Sequence, residues 1–226
     1  MLLFATLALA APLAPSTLPG SGVEVSVYTG GQTAWLREPD CIGDACDAWR
    51  VDTLVGGEVG VGLLTGFGLY GHGAHVTETV DAAQYTAEGY AFGGGLRGSL
   101  PLAALVGLDG WLGVEHQFTA GGDLTEQATA WQLDGGVVLR GGAAREGFQG
   151  WIGAGFVPWS AQSATVLDGA VTVGLAPRVP VEAVAGFQLV SEPLFGPWDN
   201  RTRLSAGLSG ALGYRSGLTG FVTVLR

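Results

Sequence analysis

The side chains able to do chemistry in this chain are few and mostly acidic. Among 226 residues there are 20 Asp and Glu against 10 bases, and all ten bases are arginine because lysine is absent. A formal charge of −10 lacks the cationic footprint that phosphate backbones require, so nucleic acid is excluded as a partner. Three histidines could serve as general bases: His72, His75 and His116. Hydrolysis needs a nucleophile, a base and an orienting group that converge, and no serine flanks any of the three. Glu115 precedes His116, but adjacent residues of a strand point to opposite faces, so it cannot orient that ring. The histidines therefore read as rim or interface residues, no catalytic residue is assigned, and the chain reads as a non-enzyme. A P-loop is impossible without lysine. Gly66-x-Gly68-x-x-Gly71 and Gly93-x-Gly95-x-x-Gly98 match the dinucleotide spacing, yet neither opens a helix after a strand. Cys41 and Cys46 close a short polar loop and suit a local disulfide in an oxidising compartment. Zinc would need a second ligand pair, and Asp40, Asp44 and Asp47 lack the spacing of a calcium loop. Neither metal nor cofactor is expected.

What must position the charged residues is a chain that alternates almost throughout. Val51, Val55, Val59, Val61 and Leu63 share one parity, while Asp52, Glu58 and several glycines share the other. The same beat sets Leu108, Leu112 and Val114 against Asp109 and Glu115, and Trp131, Val137 and Leu139 against Asp134 and Arg140. It recurs with Val181, Phe187 and Leu189 opposite Glu182, with Val171 and Val173 opposite Asp168, and with Leu204 and Leu208 opposite Arg203. Period two marks strands with one apolar and one polar face. The polar face is mostly Gly, Ala and Ser with scattered charges, unlike the Lys- and Glu-rich outside of a soluble sandwich. Forty glycines fit better against a narrow interior than on an exposed strand. The register thus puts oil outside and charge inside. Arg50, Asp52, Glu58, Arg97, Asp109, Glu115, Asp134, Arg140, Asp168, Glu182 and Arg203 become lumen-lining residues. A soluble calycin-like barrel is the competing architecture and would need the opposite arrangement.

Segments of about 9 to 14 residues suit a tilted crossing of a bilayer, and Trp35, Trp49, Tyr90, Trp159, Trp198 and Tyr214 fall near segment ends, where aromatic girdles lie. Turn signals cut the chain into eleven strands. Single-chain barrels take even numbers, and the parity of Val59, Val61 and Leu63 runs on through Thr65, Phe67 and Leu69, so the cut at Leu64–Gly66 is taken as false. The expectation is an all-β, closed antiparallel up-and-down transmembrane β-barrel of about ten strands, with twelve as the alternative. It occupies residues 22–226, after a signal peptide and short N-terminal segment over 1–21.

On this pattern the chain resembles the small Gram-negative outer-membrane barrels of the OmpA/OmpX-like class. One departure is the last strand, Phe221–Arg226, which lacks the terminal aromatic of that class. The resemblance implies an outer-membrane location, contact with lipid and lipopolysaccharide, and dealings with the outer-membrane assembly machinery. Three roles follow for test. The first is a structural or interaction barrel with loops facing an exterior partner. The second is a narrow, weakly cation-preferring, porin-like pore, and the third a lipid-modifying enzyme.

Overall fold

The computed structural model describes residues 22–37, 47–80, 85–121, 126–142, 146–166, 169–173, 181–196, 199, 201–213 and 215–226. Eleven strands form one antiparallel sheet: β1 (Val23–Arg37), β2 (Asp47–Leu64), β3 (Phe67–Val80), β4 (Tyr85–Ala103), β5 (Val106–Gly121), β6 (Glu126–Gly142), β7 (Gly147–Val166), β8 (Gly169–Val173), β9 (Val181–Val190), β10 (Arg203–Gly213) and β11 (Arg215–Leu225). β1 pairs with β11, which closes the sheet into a cylinder. β8 does not add a stave. It pairs with residues 162–166 of β7, on the edge where β9 pairs with residues 147–156, while β6 covers the other edge. The barrel therefore has ten staves.

Ladder geometry fixes its width. Followed one way from Gly155, the register leads through Gly136, Trp111, Arg97, Gly68 and Gly62 to Gly22. Followed the other way, it leads through Glu182 and Gly213, across the β10–β11 turn, to Ala34. The stagger is twelve residues. Ten staves with that shear tilt by about 40° and enclose a backbone cylinder about 19 Å across.

Strand number was anticipated, but for a wrong reason. Leu64–Gly66 is a real hairpin between β2 and β3, with Gly66 at φ 79°. The irregularity between Gly62 and Leu64 offsets the parity change of a two-residue turn, so unbroken parity could not reveal it, and the glycine with positive φ was the true signal. The false cut was Ser160–Ser163, which lies inside β7. There Leu133 and Gly135 of β6 face Trp159 and Phe156. β7 thus carries one extra residue beside Pro158, a bulge that shifts the alternation and mimics a turn.

Oil does lie outside. Val59 and Leu112 are 49% and 47% exposed, whereas Asp109 and Glu115 are 3% and 0% exposed. On β5 the outward run from Val106 to Phe118 covers about 30 Å of height at this tilt, enough for a hydrocarbon core. No helix among the described residues is long and apolar enough to cross a membrane, so any crossing is made by strands.

The glycines have a more specific use than making room. Tyr28 lies opposite Gly56 in the register, His72 opposite Gly93, Trp111 opposite Gly136, Trp151 opposite Gly186 and Phe221 opposite Gly207. In each pair a Cβ built on the glycine would collide with the facing ring. Arg140 lies over Gly107 in the same way, and Arg97 over Gly60. Large inward side chains thus lie tangentially on the neighbouring stave, seated where there is no side chain. This packs a lumen that would otherwise need a wider cylinder.

Four connections join strands at the end that carries Val23 and Leu225; the β2–β3 and β4–β5 turns are short and wholly described, and residues 143–145 of the third lie outside the described residues. The fourth, between β9 and β10, is pinned internally. Leu194 N donates to Thr202 O (2.9 Å), and Leu204 N donates to Ser191 Oγ (3.0 Å). The Asp199 carboxylate accepts from Thr202 Oγ1 (2.7 Å), Arg201 N (2.9 Å) and Thr202 N (3.4 Å). These bonds, the Thr202 hydroxyl first, hold its carboxyl below the usual carboxylate range. A depressed folded-state pKa stabilises the loop above the ordinary carboxylate range and ceases to do so as pH falls through the lowered value. Amide exchange over residues 191–202 should stay slow at mildly acidic pH and quicken only below the ordinary carboxylate pKa. Asp199→Ala should make it fast at every pH.

Candidate functional site

The lumen gathers the predicted charges. At the short-turn end, Arg97 of β4 reaches across β3 to pair with both Glu24 of β1 and Glu58 of β2, the latter at 3.4 Å. Beside it Arg140 Nε donates to Asp109 Oδ2 (2.9 Å), and its Nη2 lies 3.4 Å from Ser99 Oγ. Midway, His72 Nε2 meets Glu115 Oε2 at 3.2 Å, spanning from β3 to β5. Trp111 Nε1 donates to Asp134 Oδ2 (3.0 Å). Nearer the other end, Gln32 Nε2 donates to Asp52 Oδ2 (2.8 Å). Back towards the short-turn end, Gln188 Nε2 donates to Gln149 Oε1 (2.8 Å), and the Ser26 and Thr223 hydroxyls bond across the β1–β11 seam (2.7 Å). Buried charges survive only when paired and hydrogen-bonded, and here the pairing also ties staves that share no backbone ladder.

Against these bonds lies an apolar cluster that alternation had hidden: Tyr28, Leu54, Val76, Trp151, Val184 and Phe221, with Trp111 at its margin. Large rings on the polar parity are not a charge signal. Only their glycine partners across the register could have disclosed them, and strand pairing is invisible in a single segment. Eight buried carboxylates and two buried arginines are among the described inward residues, so the interior is anionic in formal charge.

The structure thus brings together Glu58, Arg97, Asp109, Glu115, Asp134 and Arg140, and adds Glu24, Glu78 and His72, which sequence reasoning did not assign. Asp52 and Glu182 are also buried inward, and Arg203 is partly buried with its guanidinium 3.8 Å from Glu146. Arg50 lies in β2, but its side chain is outside the described residues, as are Asp168, Cys41, Cys46 and the 1–21 leader. One expectation about histidine needs correction. His72 is not a rim residue; it sits mid-strand on the inward parity. Outside the segments whose facing was read, β4 carries an outward acid. Glu88, just before the segment used to set the register, points outward with His75 Nε2 at 4.0 Å, and both are largely exposed. His75 and His116 do face out, His75 edge-on to Tyr90 and His116 between Phe92 and Trp131. Tyr90 and Trp159 are exposed on the wall as a girdle requires; the other four girdle candidates are outside the described side chains. No group of three or more metal-ligating residues occurs among the described residues.

Comparison with solved structures agrees with the cylinder. The translocator domain of the autotransporter NalP from Neisseria meningitidis superposes with a TM-score of 0.51 at 10% identity, over 91% of this chain and 88% of that one. The fold is that of an outer-membrane β-barrel. Looser likenesses include Ail, the attachment invasion locus protein of Yersinia pestis (TM-score 0.32, 11% identity, 92% and 97% covered). Another is the Pseudomonas putida toluene transporter TodX (TM-score 0.32, 8% identity, 91% and 87% covered). No family model and no curated protein matches the sequence.

Proposed function

We propose that this protein is an outer-membrane barrel of a Gram-negative bacterium with a structural or interaction role, its lumen closed to solutes. The observation that supports closure is the seating of Tyr28, Trp111, Trp151 and Phe221 flat across glycines of neighbouring staves, within a cylinder only about 19 Å wide at the backbone. On this reading the wall meets lipid and lipopolysaccharide, the assembly machinery inserts it, the loops away from the chain ends meet an exterior partner, and no reaction is catalysed.

Purified protein in planar bilayers tests it. The expected result is no stable conductance above the lipid baseline. Single-channel steps that vanish on Asp109→Asn with Glu115→Gln would instead establish the second reading, a narrow cation-preferring pore. That reading is favoured by the excess of buried carboxylates over arginines.

A further inference from the structure

We propose that the rim at the short-turn end is seated in phospholipid. Leu194 and Phe195 of the β9–β10 loop lie in the glycerol and upper acyl region of the adjoining leaflet. This rests on the membrane placement proposed above and adds to it where the barrel stops.

The two ends of the outer wall differ. At the end away from the termini the wall turns polar before the strands finish: Thr79, Thr86 and Glu88 all point outward there and are exposed. At the short-turn end apolar side chains run on into the β2–β3 and β4–β5 turns. Leu64, Leu102 and Leu105, in or beside the turns, are 68%, 55% and 60% exposed, and Leu194 and Phe195 are 48% and 59% exposed. Turns that face water are rich in polar residues, so two leucine-bearing turns beside an apolar pair in the β9–β10 loop mark a surface with an apolar neighbour.

Continuity names the neighbour. Phe148 and Phe187 stack on the outer wall with ring centroids 6.0 Å apart, and Leu189 and Leu204 stand outward at the foot of the loop. Beyond Ser191 and Glu192, Leu194 and Phe195 resume the apolar surface of this lipid-facing wall. Nor does charge hold the loop in water. Arg203 pairs with Glu146 (3.8 Å) and Arg226 with Asp199 (3.9 Å), leaving Glu192 and Arg201, one of each sign. The Asp199 and Ser191 hydrogen bonds fix the loop while Leu194 and Phe195 remain exposed. An exposed apolar pair on a charge-balanced loop is the pattern of an interfacial anchor.

Spin labels at single cysteines decide the matter, in a Cys41→Ser, Cys46→Ser background in vesicles of phosphatidylethanolamine and phosphatidylglycerol. Phe195→Cys should collide with oxygen in preference to a water-soluble nickel chelate, as should Leu112→Cys at mid-wall, while Thr79→Cys should show the reverse. Adding Leu194→Asp should move the position-195 label towards the nickel reagent. A label at 195 that reads water while 112 reads hydrocarbon overturns the seated rim alone. Shielding from both reagents also overturns it, because the pair would then be covered by protein, whether a partner or a second copy. Water at position 112 removes the membrane placement itself, and the anchor with it.

Discussion

Gly136→Val is expected to destabilise the barrel by about 1–3 kcal/mol, the range for forcing extra carbons into a packed interior. Gly136 lies opposite Trp111 in the β5–β6 ladder, and a Cβ at this position would occupy the space of the indole ring. The ring has nowhere to retreat, because its Nε1 is committed to Asp134 and it borders the apolar cluster. Urea unfolding in lipid vesicles, followed by tryptophan fluorescence and by heat-modifiable gel mobility, measures the change. Gly141→Val makes the control, since nothing lies within 4 Å of a Cβ there, and it should leave the midpoint unmoved. Combining Gly136→Val with Trp111→Ala should recover part of the loss, because the clash disappears with the ring. If Gly136→Val and Gly141→Val unfold alike, the tangential seating is wrong and the case for a sealed lumen weakens with it.

The largest single effect is expected at Arg97. Its guanidinium is 2% exposed and serves two carboxylates at once, Glu24 and Glu58. Arg97→Met keeps much of the volume but leaves two buried acids without their shared cation, a defect of about 3–5 kcal/mol. The informative companion is the triple change Arg97→Met, Glu24→Gln, Glu58→Gln, which removes the whole buried cluster of charge. Replacing a complete buried ionic group is often neutral, so most of the stability should return. Failure of the triple variant to recover would show that the methionine packs badly rather than that charge is stranded. An undiminished Arg97→Met would mean that water reaches the acids.

How much of this was legible in sequence depends on what kind of pattern each feature makes. Facing followed from parity alone, so Asp109, Glu115, Asp134 and Arg140 were placed in the lumen and Val59 and Leu112 outside it. Who meets whom did not follow. Neither the reach of Arg97 over β3 to Glu24 nor the contact of His72 with Glu115, 43 residues on, leaves a local trace. Parity correctly separated Glu115 from His116, but it could not name His72 as the partner that Glu115 meets. Turns were partly legible. Gly66 offered a turn signal by type that unbroken parity overrode, whereas the bulge at Pro158 shifted the beat within one strand and read as an interruption. Glu88 shares the outward parity of Tyr90 but lay just outside the segment that was read, which began at Tyr90.

The seam between β1 and β11 has a kinetic consequence. It joins Glu24 to Leu225, so the sheet has no complete ring until nearly the whole chain has been placed. Before that moment two rows of amide and carbonyl groups stand open, and in hydrocarbon each unmet group costs several kcal/mol. Staves cannot therefore be laid into the bilayer one at a time. Nor can the cylinder close in water first, with its valines and leucines turned outward. Contacts of such long range are also slow to find. Crossing the membrane and sealing the ring should be a single cooperative event, and a pulse-labelling experiment should find the first and last strands protected together.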